Sequence, residues 1–327
     1  MLQTSDSPPA HAQRMESSMR QVDMVIRARL SSQVALIDQI SSYIVSAGGK
    51  RIRPRLVLLF SEALGFRGQE QFELAAVVEF IHTATLLHDD VVDESSLRRG
   101  RATANATFGN AASVLVGDFL YSRAFQMMVG INRIRVLDVL ADATNVIAEG
   151  EVLQLMNMHD PDITVDAYLK VIRFKTAKLF EASARLGAVL AEASAPVEES
   201  CAAFGRSLGT AFQLVDDLLD YEGNSHQLGK NVGDDLREGK PTLPLLIAME
   251  RGSHAERQTI RHAIEHGEVE RLAEIISIVK ATGALDATRE AALLEAEKAK
   301  LCLKDLPESG AREALLELCA QSVHRSS

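Results

Sequence analysis

The stretch EFIHTATLLHDDVVD, residues 79–93, carries the signals that decide the fold. Its apolar residues recur at three- and four-residue spacing, which predicts an α-helix. Two of its aspartates, Asp89 and Asp93, are four positions apart, so on a helix one lies above the other. The stretch therefore predicts a mostly apolar helix that carries a small group of carboxylates.

The same aspartate spacing returns much later in the chain, in DDLLD, residues 216–220. Asp216 and Asp220 then share a helix face. Carboxylates four residues apart on a helix repel each other, and no residue nearby in sequence neutralises them. A cation bound from elsewhere would do so. Their hard oxygen atoms suit Mg²⁺, which keeps other coordination positions for water and substrate phosphate. Two solvated acidic faces are the alternative, but neighbours such as Leu218 and Leu219 are too apolar for an open surface.

Composition favours packed helices in one large domain. The 327 residues include no tryptophan and few aromatic residues, so aliphatic side chains and alanine do most of the packing. No alternating run is long enough for a sheet, which predicts an all-α chain. No Pro/Gly/Ser-rich linker divides the interior. We therefore expect one domain over residues 15–327 and a disordered or loosely ordered tail over residues 1–14.

Charge and cysteine content bound the partners and the location. A formal charge of −10 argues against a nucleic-acid partner, because nucleic-acid binding rests on excess positive charge. Cys201, Cys302 and Cys319 have no metal-ligand or redox spacing, which fits a reducing cytoplasm. No stretch approaches the roughly 20 apolar residues that cross a bilayer, so we expect no integral membrane segment.

One further stretch, Ser113 to Met128, is apolar around most of its helical circumference. Such a helix lies either in the centre of the core or at an interface between subunits. The sequence leaves both interpretations open.

Basic residues near the N-terminus complement the aspartates. In GGKRIRP, residues 48–54, two glycines and three cations stand where a helix begins. Unpaired amides at a helix N-terminus attract anions, so Lys50 and Arg53 are candidates to hold a phosphate without a metal. A solvated basic turn would have the same composition. His82 lies seven residues before Asp89 and shares its helix face about 10 Å away, where a buried core histidine is the alternative.

Further cations and polar groups accompany each aspartate cluster. Guanidinium groups match phosphate oxygens with two parallel hydrogen bonds, and the first cluster is followed by such a pair. The second cluster is preceded on the same helical stripe by an amide. These candidates are Arg98 and Arg99 after the first cluster, Gln213 before the second, the pair Lys175 and Thr176, and the lysines Lys230 and Lys240, each of which follows a glycine.

Together, the aspartates and the cations are more than the binding of a single diphosphate requires. We infer two, one held through Mg²⁺ by the aspartates and one held directly by cations near Lys50 and Arg53. A metal-held diphosphate in an apolar helical pocket is best used as a leaving group, because the cations stabilise the departing charge and excluded water protects the carbocation. No Walker-type phosphate loop, nucleophile elbow or dinucleotide fingerprint is present in the sequence.

At these motifs the chain closely resembles the trans-isoprenyl diphosphate synthases, also called polyprenyl synthases, and within them the long-chain members. The resemblance runs from about residue 15 to the C-terminus and rests on six motifs. They are GGKRIRP (48–54), EFIHTATLLHDDVVDESSLRRG (79–100), GEVLQL (150–155), KTAKLF (175–180), GTAFQLVDDLLDY (209–221) and GKNVGDDLREGKPTLPLL (229–246). It implies the isoprenoid synthase fold, in which helices surround a deep central cavity, and it implies a homodimer.

The resemblance also implies a role for each candidate residue. Mg²⁺ is the implied cofactor, with about three ions per active site once substrate is bound. The implied metal ligands are Asp89, Asp93, Asp216 and Asp220, supported by Asp90 and Asp217. The implied isopentenyl diphosphate contacts are Lys50, Arg53, His82 and Arg99. The implied allylic diphosphate contacts are Arg98, Lys175, Lys230 and Lys240, while Thr176 and Gln213 line the space where the cation forms.

The implied reaction is repeated 1′-4 condensation of isopentenyl diphosphate with an allylic diphosphate. The allylic carbon–oxygen bond ionises, the isopentenyl double bond attacks, and a proton is lost to the released diphosphate. With farnesyl diphosphate as primer, the expected product is octaprenyl or nonaprenyl diphosphate for a quinone side chain. The growing tail would lie in a tunnel lined by residues one or two turns before Asp89 and beyond. The expected tunnel residues are Val77, Ile81, Ala84, Thr85, Met127 and Met128, for which ordinary core packing is the alternative.

Three other classes of protein compete with this interpretation. A class I terpene cyclase binds one diphosphate and would leave Lys50, Arg53 and Arg99 without a purpose. A di-iron bundle could use Glu79 and His82, but it requires a second Glu-x-x-His, which none of the nine histidines provides. A non-catalytic subunit of a heteromeric synthase would not be expected to keep both aspartate clusters.

Overall fold

The structure is a computed structural model that describes residues 8–46, 48–98, 100–222 and 233–324. Its first helices are α1 (Pro8–Leu30), α2 (Ala35–Ser46), α3 (Ile52–Ala63), α4 (Glu70–Val92), α5 (Ala104–Phe108) and α6 (Asn110–Ile131). There follow α7 (Ile134–Asn157), α8 (Val165–Ile172), a π-helix (Arg173–Ala177), α9 (Lys178–Leu190) and α10 (Ala195–Glu222). The last are α11 (Asp234–Arg237), α12 (Leu243–Arg251), α13 (His254–His266), α14 (Leu272–Ala281), α15 (Ala284–Leu301) and α16 (Gly310–Val323).

The all-α fold predicted from the sequence is confirmed. Among the described residues, the strands β1 (Leu97–Arg98) and β2 (Arg101–Ala102) form a two-residue antiparallel hairpin with Arg98 opposite Arg101. This hairpin follows α4 directly, and its importance is local, because it carries Arg98 back toward the aspartates at the end of that helix.

The chain folds into two compact units. Unit 1 comprises the described residues up to Thr144 together with Leu179–Gly205 and Leu301–Leu318. Unit 2 comprises Asn145–Lys178, the described residues within Arg206–Lys300, and the described residues from Cys319 onward. The single domain over residues 15–327 therefore stays a proposal.

In unit 1, α4 is the central helix and packs against α1, α3 and α6. Because neighbours surround it, its apolar residues are buried on most of its circumference rather than on one stripe. Val77, Ile81 and Ala84 are all fully buried. Close packing continues at Gly187, where an added Cβ would lie 2.5 Å from the Cβ of Phe60, so this position tolerates no side chain without movement.

The expected N-terminal tail is shorter than the sequence suggested. Helix α1 begins at Pro8, so residues 8–14 are helical and the expectation of a loose tail over these residues is wrong. The physical reason is burial, because His11 is 5% exposed and its Nε2 lies 3.3 Å from Glu62 Oε2 on α3. Residues 1–7 lie outside the described part of the chain.

In unit 2, the C-terminal half of α10 packs into an aliphatic core with α12, α13 and α14. The core is built mainly from aliphatic side chains, as the scarcity of aromatic residues predicted, and it also includes Tyr168 and Tyr221. Its most buried members include Leu214, Leu236, Leu245, Ile260, Ile264 and Ile275. Leu218 and Leu219, which stand within the second aspartate cluster, belong to this core.

Helix α6 is buried in the core on one face, and the subunit interface that its sequence also allowed stays a prediction. One face is buried in unit 1 against α4 through residues such as Val116, Leu120 and Met128. The opposite face leaves Leu115 and Val129 exposed to about two-thirds, at 67% and 63%. Across the described residues, none of the helices combines the length and the apolar character needed to span a membrane.

Candidate active site

The first aspartate cluster lies where α4 ends. The backbone N–H of Asp93 donates to the carbonyl of Asp89 at 2.8 Å, so the two residues are one helical turn apart, as their spacing predicted. The helix stops there because Glu94 adopts a left-handed conformation at φ 51°. Asp89 and Asp93 are both half-buried. They retain access to solvent at the end of an otherwise buried helix.

Asp90, between them, has a different environment. It is 2% exposed, and its Oδ1 accepts hydrogen bonds from Arg98 Nε at 2.9 Å and Arg98 Nη2 at 2.7 Å. Burial raises the pKa of the Asp90 carboxyl above its ordinary value, and the positive charge of Arg98 opposes this effect. Burial would lower the pKa of Arg98, but Asp90, Asp89 and Asp93 raise it above its ordinary value. Arg98 therefore compensates the negative charge of the cluster.

The chain after α4 is held in place by polar contacts. Asn105 Nδ2 donates to the carbonyls of Asp90 at 3.0 Å and Ser95 at 3.2 Å. Thr103 Oγ1 donates to the same Ser95 carbonyl at 2.7 Å and also accepts from the N–H of Ala106. These bonds hold the hairpin against the end of α4, which places the guanidinium of Arg98 within hydrogen-bond distance of Asp90.

The basic turn before α3 has a constrained backbone. Arg51 caps α3 in the left-handed conformation at φ 50°, which is uncommon for a residue with a side chain. Its Nη1 lies 3.2 Å from Glu79 Oε1 on α4, which holds the turn against that helix. Arg53 stacks its guanidinium on the ring of Phe180 at 4.4 Å from the centroid. Lys50 is exposed.

A pocket in unit 1 lies beside the first cluster and joins several of these groups. Its lining includes Arg51, Glu79, His82, Arg98, Arg101 and Tyr43. His82 and Arg98 were predicted as site residues, and the structure brings them to one pocket. Lys50 and Arg53 are not among its lining residues.

Sequence reasoning did not assign Arg101, Tyr43 or Glu79 to the site. The Arg101 guanidinium lies 5.5 Å from the centre of the Tyr43 ring, and the Tyr43 hydroxyl donates to the Ala102 carbonyl at 2.6 Å. Glu79 could have been found from its helical spacing to His82, whereas Tyr43 contacts the hairpin across a long sequence separation. Arg101 lies opposite Arg98 in the hairpin, a pairing that the structure shows.

The second aspartate cluster lies on α10 in unit 2 and belongs to a hydrogen-bond chain. Thr176 Oγ1 donates to Gln213 Oε1 at 3.0 Å, and Gln213 Nε2 donates to Asp217 Oδ1 at 2.7 Å. The Tyr168 hydroxyl donates to the other oxygen, Asp217 Oδ2, at 2.5 Å. The structure therefore brings together Thr176, Gln213 and Asp217, as predicted, and adds Tyr168, which sequence reasoning missed.

Burial dominates the electrostatics of Asp217. The residue is 3% exposed, and removal from water raises the pKa of its carboxyl to about 7, with a further raising effect from the nearby Asp235 charge. The hydrogen bonds from Tyr168 and Gln213 lower the pKa but do not cancel the effect of burial. Burial and the Asp217 charge in turn raise the pKa of Tyr168 well above its ordinary value.

The other two aspartates of this cluster differ in exposure. Asp216 is half-buried, whereas Asp220 is fully buried and its Oδ2 accepts the backbone N–H of Asp235 at 3.2 Å. The carbonyl of Asp220 also accepts the N–H of Gly233, which has φ 80°. Gly233 thus lets the chain turn back toward the end of α10.

Lys175 lies in the π-helix that separates α8 from α9. Its Nζ is 2.6 Å from Glu151 Oε2, and the neighbouring Gly150 lets the two segments approach, because an added Cβ would lie 2.6 Å from the Lys175 amide nitrogen. Single π-helical turns occur often at functional sites. The motif GEVLQL therefore supplies a carboxylate partner for Lys175, a role that was not predicted.

The other predicted site residues are Lys240, Arg99, Lys230 and the expected tunnel residues. Lys240 pairs with Glu238 and donates its backbone N–H to the Asp235 carbonyl at 2.8 Å. Arg99 and Lys230 lie outside the described residues. The expected tunnel residues Val77, Ile81 and Ala84 on α4, with Met127 and Met128 on the adjacent α6, are buried, while Thr85 is half-buried.

The carboxylates present fit a hard divalent cation. Each cluster supplies three carboxylates whose oxygen atoms suit Mg²⁺ rather than a softer metal. Asp89, Asp93 and Asp216 keep solvent access, whereas Asp90 and Asp217 are buried and already accept hydrogen bonds. Asp89, Asp93 and Asp216 are therefore accessible to a metal, and the buried Asp90 and Asp217 would orient their neighbours. Asp220 is fully buried and lies one helical turn after Asp216.

Comparison with known proteins gives the same family. Residues 34–279 match the family model of polyprenyl synthetase. The chain is 56% identical to octaprenyl diphosphate synthase of Escherichia coli over 94% of this chain and 95% of that protein. It is 47% identical to the geranyl-diphosphate-specific all-trans-nonaprenyl-diphosphate synthase of Rhodobacter capsulatus, over 93% of this chain and 94% of that protein.

A solved structure extends the likeness to three dimensions. The polyprenyl synthase of Caulobacter crescentus, crystallised with calcium and isoprenyl diphosphate, superposes with a TM-score of 0.94 at 45% identity and covers 100% of both chains. With the family model matched over most of its length and close relatives of nearly equal extent, the chain belongs to the polyprenyl synthetase family and is a prenyltransferase.

Proposed function

We propose that this prenyltransferase lengthens an allylic diphosphate by repeated 1′-4 addition of isopentenyl diphosphate to give a long all-trans product. Octaprenyl or nonaprenyl diphosphate is the product class, and farnesyl diphosphate is the primer. The observation that carries the proposal is the pair of aspartate clusters, each with at least one solvent-accessible aspartate and one buried, hydrogen-bonded aspartate. The names of the relatives, octaprenyl and nonaprenyl diphosphate synthases, support the product class.

The aspartates would hold the allylic diphosphate through metal. We assign Asp89, Asp93, Asp216 and Asp220 as Mg²⁺ ligands, with about three ions per site when substrate is bound. When bound, Mg²⁺ neutralises charge that develops on the departing diphosphate. The Caulobacter crescentus polyprenyl synthase was crystallised as a complex with calcium and isoprenyl diphosphate, which supports a role for a divalent cation in this chain.

The cations would complete the two diphosphate sites. Arg98 is already oriented by Asp90, and Lys175 by Glu151, so both present a fixed positive charge to an allylic diphosphate. We assign Lys230 and Lys240 to the same substrate. For isopentenyl diphosphate we assign Lys50, Arg53, His82 and Arg99, of which His82 lines the pocket in unit 1.

The residues around the allylic carbon would orient the reactants and accept no proton themselves. Thr176 and Gln213 are joined by a hydrogen bond, and Gln213 also donates to the buried Asp217. These bonds restrict rotation of both side chains and fix the positions of their polar atoms. They present dipoles to the developing cation without a nucleophile that would trap it. The proton released after each addition goes to the departed diphosphate, the nearest competent acceptor.

Product length would be set by the space beyond the first cluster. Ala84 is a small, fully buried residue about one and a half turns before Asp89, on the helix α4 that packs against α6. Replacing Ala84 with Phe should block the path of the growing tail and shorten the product, which mass spectrometry of dephosphorylated products would detect. Ala75 to Phe, at a buried position farther along the same helix, is the matched control for overpacking. An unchanged product distribution in folded Ala84→Phe would remove Ala84 from the tunnel.

We also propose a homodimer in the cytoplasm, in which each chain acts as a single catalytic domain. The exposed apolar residues of α6, Leu115, Phe125 and Val129, recur on one face and form the kind of patch that marks a protein interface. Leu115→Glu should shift the sedimentation coefficient from that of a dimer to that of a monomer. A wild-type chain that sediments as a monomer at micromolar concentration would contradict the dimer.

The activity test uses the purified chain alone. We expect it to convert farnesyl diphosphate and labelled isopentenyl diphosphate to products of eight or nine isoprene units in the presence of Mg²⁺, with turnover abolished by a chelator and restored by added Mg²⁺. No turnover by the folded chain alone, restored only by a second protein, would instead identify a non-catalytic subunit. A single cyclised hydrocarbon product would identify a terpene cyclase.

A further inference from the structure

A second set of metal-ligating side chains lies in unit 2 at the C-terminal end of α13, among residues that the prenyl transfer does not use. His262, Glu265 and His266 are all exposed, and their ligand atoms lie within 4.8 Å of one another. This set combines imidazole with carboxylate, unlike the aspartate clusters, which offer oxygen alone. The two kinds of donor select different cations.

Helical spacing brings the two imidazoles together. His262 and His266 are at i and i+4, so they lie on the same face one turn apart, and their ring centroids are 4.3 Å apart. His266 Nδ1 lies 2.9 Å from the His262 carbonyl. Because a carbonyl only accepts, Nδ1 carries the proton, which leaves the lone pair of a neutral ring on Nε2. A hydrogen bond of this kind orients histidines that bind metals.

The turn after the helix brings a second carboxylate to the same place. Gly267 adopts the left-handed conformation at φ 62°, and the backbone N–H of Glu268 donates to the Ala263 carbonyl at 3.1 Å, so the chain folds back over the helix end. Glu268 Oε2 then lies 3.5 Å from His262 Nε2. The carboxylate thus stands beside an imidazole nitrogen that would face a metal.

We propose that His262, Glu265 and His266 form a surface site for a borderline transition-metal cation such as Zn²⁺, with Glu268 beside it. Two imidazoles and one carboxylate are a known ligand combination for Zn²⁺, with the fourth position left to water. Mg²⁺ would not compete well, because it prefers an all-oxygen, octahedral environment. Bound metal would join the last turn of α13 and so resist fraying of that helix end.

The test measures Zn²⁺ binding in a large excess of Mg²⁺, which occupies the all-oxygen aspartate sites. Tag-free chain is titrated with Zn²⁺ against a chromophoric chelator. We expect one Zn²⁺ per wild-type chain, and a loss of affinity of about tenfold or more in His262→Ala and in His266→Ala. His254→Ala is the matched control, because His254 is exposed at the other end of the same helix, and it should bind Zn²⁺ as the wild type does.

A second readout guards against misfolding. Zn²⁺ should raise the Tm of wild type and of His254→Ala but not of His262→Ala, while all three retain the same circular dichroism spectrum without metal. Turnover with Mg²⁺ should be equal in all three, so failure here and failure of the prenyl transfer are distinguishable. The proposal is overturned if wild type binds no Zn²⁺ under these conditions, or if both histidine variants bind it as tightly as wild type. Equal affinity in Glu265→Gln would overturn the three-ligand assignment.

Discussion

The two aspartate clusters share a spacing but differ in how the buried member of each is stabilised. In the first, Asp90 is paired with the guanidinium of Arg98, a formal positive charge. In the second, Asp217 is held by neutral donors, the hydroxyl of Tyr168 and the amide of Gln213. Burial raises the pKa of both carboxyls: that of Asp217 rises to about 7, whereas the positive charge of Arg98 opposes the rise at Asp90.

This difference separates two functions of an aspartate within one motif. Of the outer aspartates, Asp89, Asp93 and Asp216 keep solvent access, whereas Asp220 is fully buried. The inner one is removed from water and serves to orient a neighbour, through an ion pair in unit 1 and through a hydrogen-bond chain in unit 2. A neutral partner compensates a buried charge less than a cation does. The stability contributed by Asp217 should therefore depend more on pH, and that contributed by Asp90 more on the presence of Arg98.

The largest expected effect tests whether both clusters serve catalysis. Asp89→Asn and Asp216→Asn each remove one charged metal ligand while keeping the shape of the side chain. Each should lower kcat by about 10³-fold, a magnitude typical for removal of a group that stabilises transition-state charge. The measurement is single-turnover condensation of farnesyl diphosphate with labelled isopentenyl diphosphate.

Asp286→Asn, at an exposed position of α15, is the control and should leave turnover unchanged. A large loss of kcat in Asp89→Asn together with full activity in Asp216→Asn would show that only the first cluster serves catalysis. The second cluster would then be structural.

Much of this comparison was predictable from the sequence. Helical periodicity located α4 and α10, and the four-residue spacing placed Asp89 with Asp93 on one turn, because both follow from local geometry. Motif spacing likewise placed Gln213 and Asp217 on one helical stripe, where the structure joins them by a hydrogen bond. These features depend on neighbours within a few residues, so the sequence contains them directly.

The partners of the buried aspartates were not predictable. Tyr168 reaches Asp217 across 49 residues, and the π-helix that presents Lys175 has no local sequence signature. The left-handed Arg51 is stabilised by Glu79 on another helix, which no propensity rule anticipates. Helix α1 begins at Pro8, and its buried His11 contacts Glu62 on α3, a tertiary contact that composition does not predict.

A pH titration of stability sharpens the electrostatic difference. The folded-state pKa of Asp217 is raised from about 4 to about 7, so its contribution to stability is fully present below about pH 4 and is lost as the pH rises through about 7. Over that window the metal-free wild type should lose up to about 4 kcal/mol of unfolding free energy relative to Asp217→Asn. Urea unfolding of both proteins at several pH values measures this.

Asp90→Asn is the matched control for the pH titration, since burial also raises the pKa of Asp90 but Arg98 offsets the effect. The difference in unfolding free energy between Asp90→Asn and wild type should vary less with pH. Identical pH dependence in wild type and Asp217→Asn would show that the Asp217 carboxyl is not destabilised by burial.

The smallest expected effect compares loss of the two partners. Arg98→Ala leaves the Asp90 charge buried without compensation and should cost about 2–3 kcal/mol of unfolding free energy, less than for a fully buried pair because the Arg98 side chain is 39% exposed. Tyr168→Phe removes one neutral hydrogen bond from Asp217 and should cost about 1–2 kcal/mol at pH 7. Adding Asp90→Asn to Arg98→Ala should restore much of the lost stability, because the uncompensated charge is removed, whereas adding Asp217→Asn to Tyr168→Phe should restore less. Equal rescue of both pairs in urea unfolding would mean that the two buried aspartates carry the same charge state, and the distinction between the clusters would not hold.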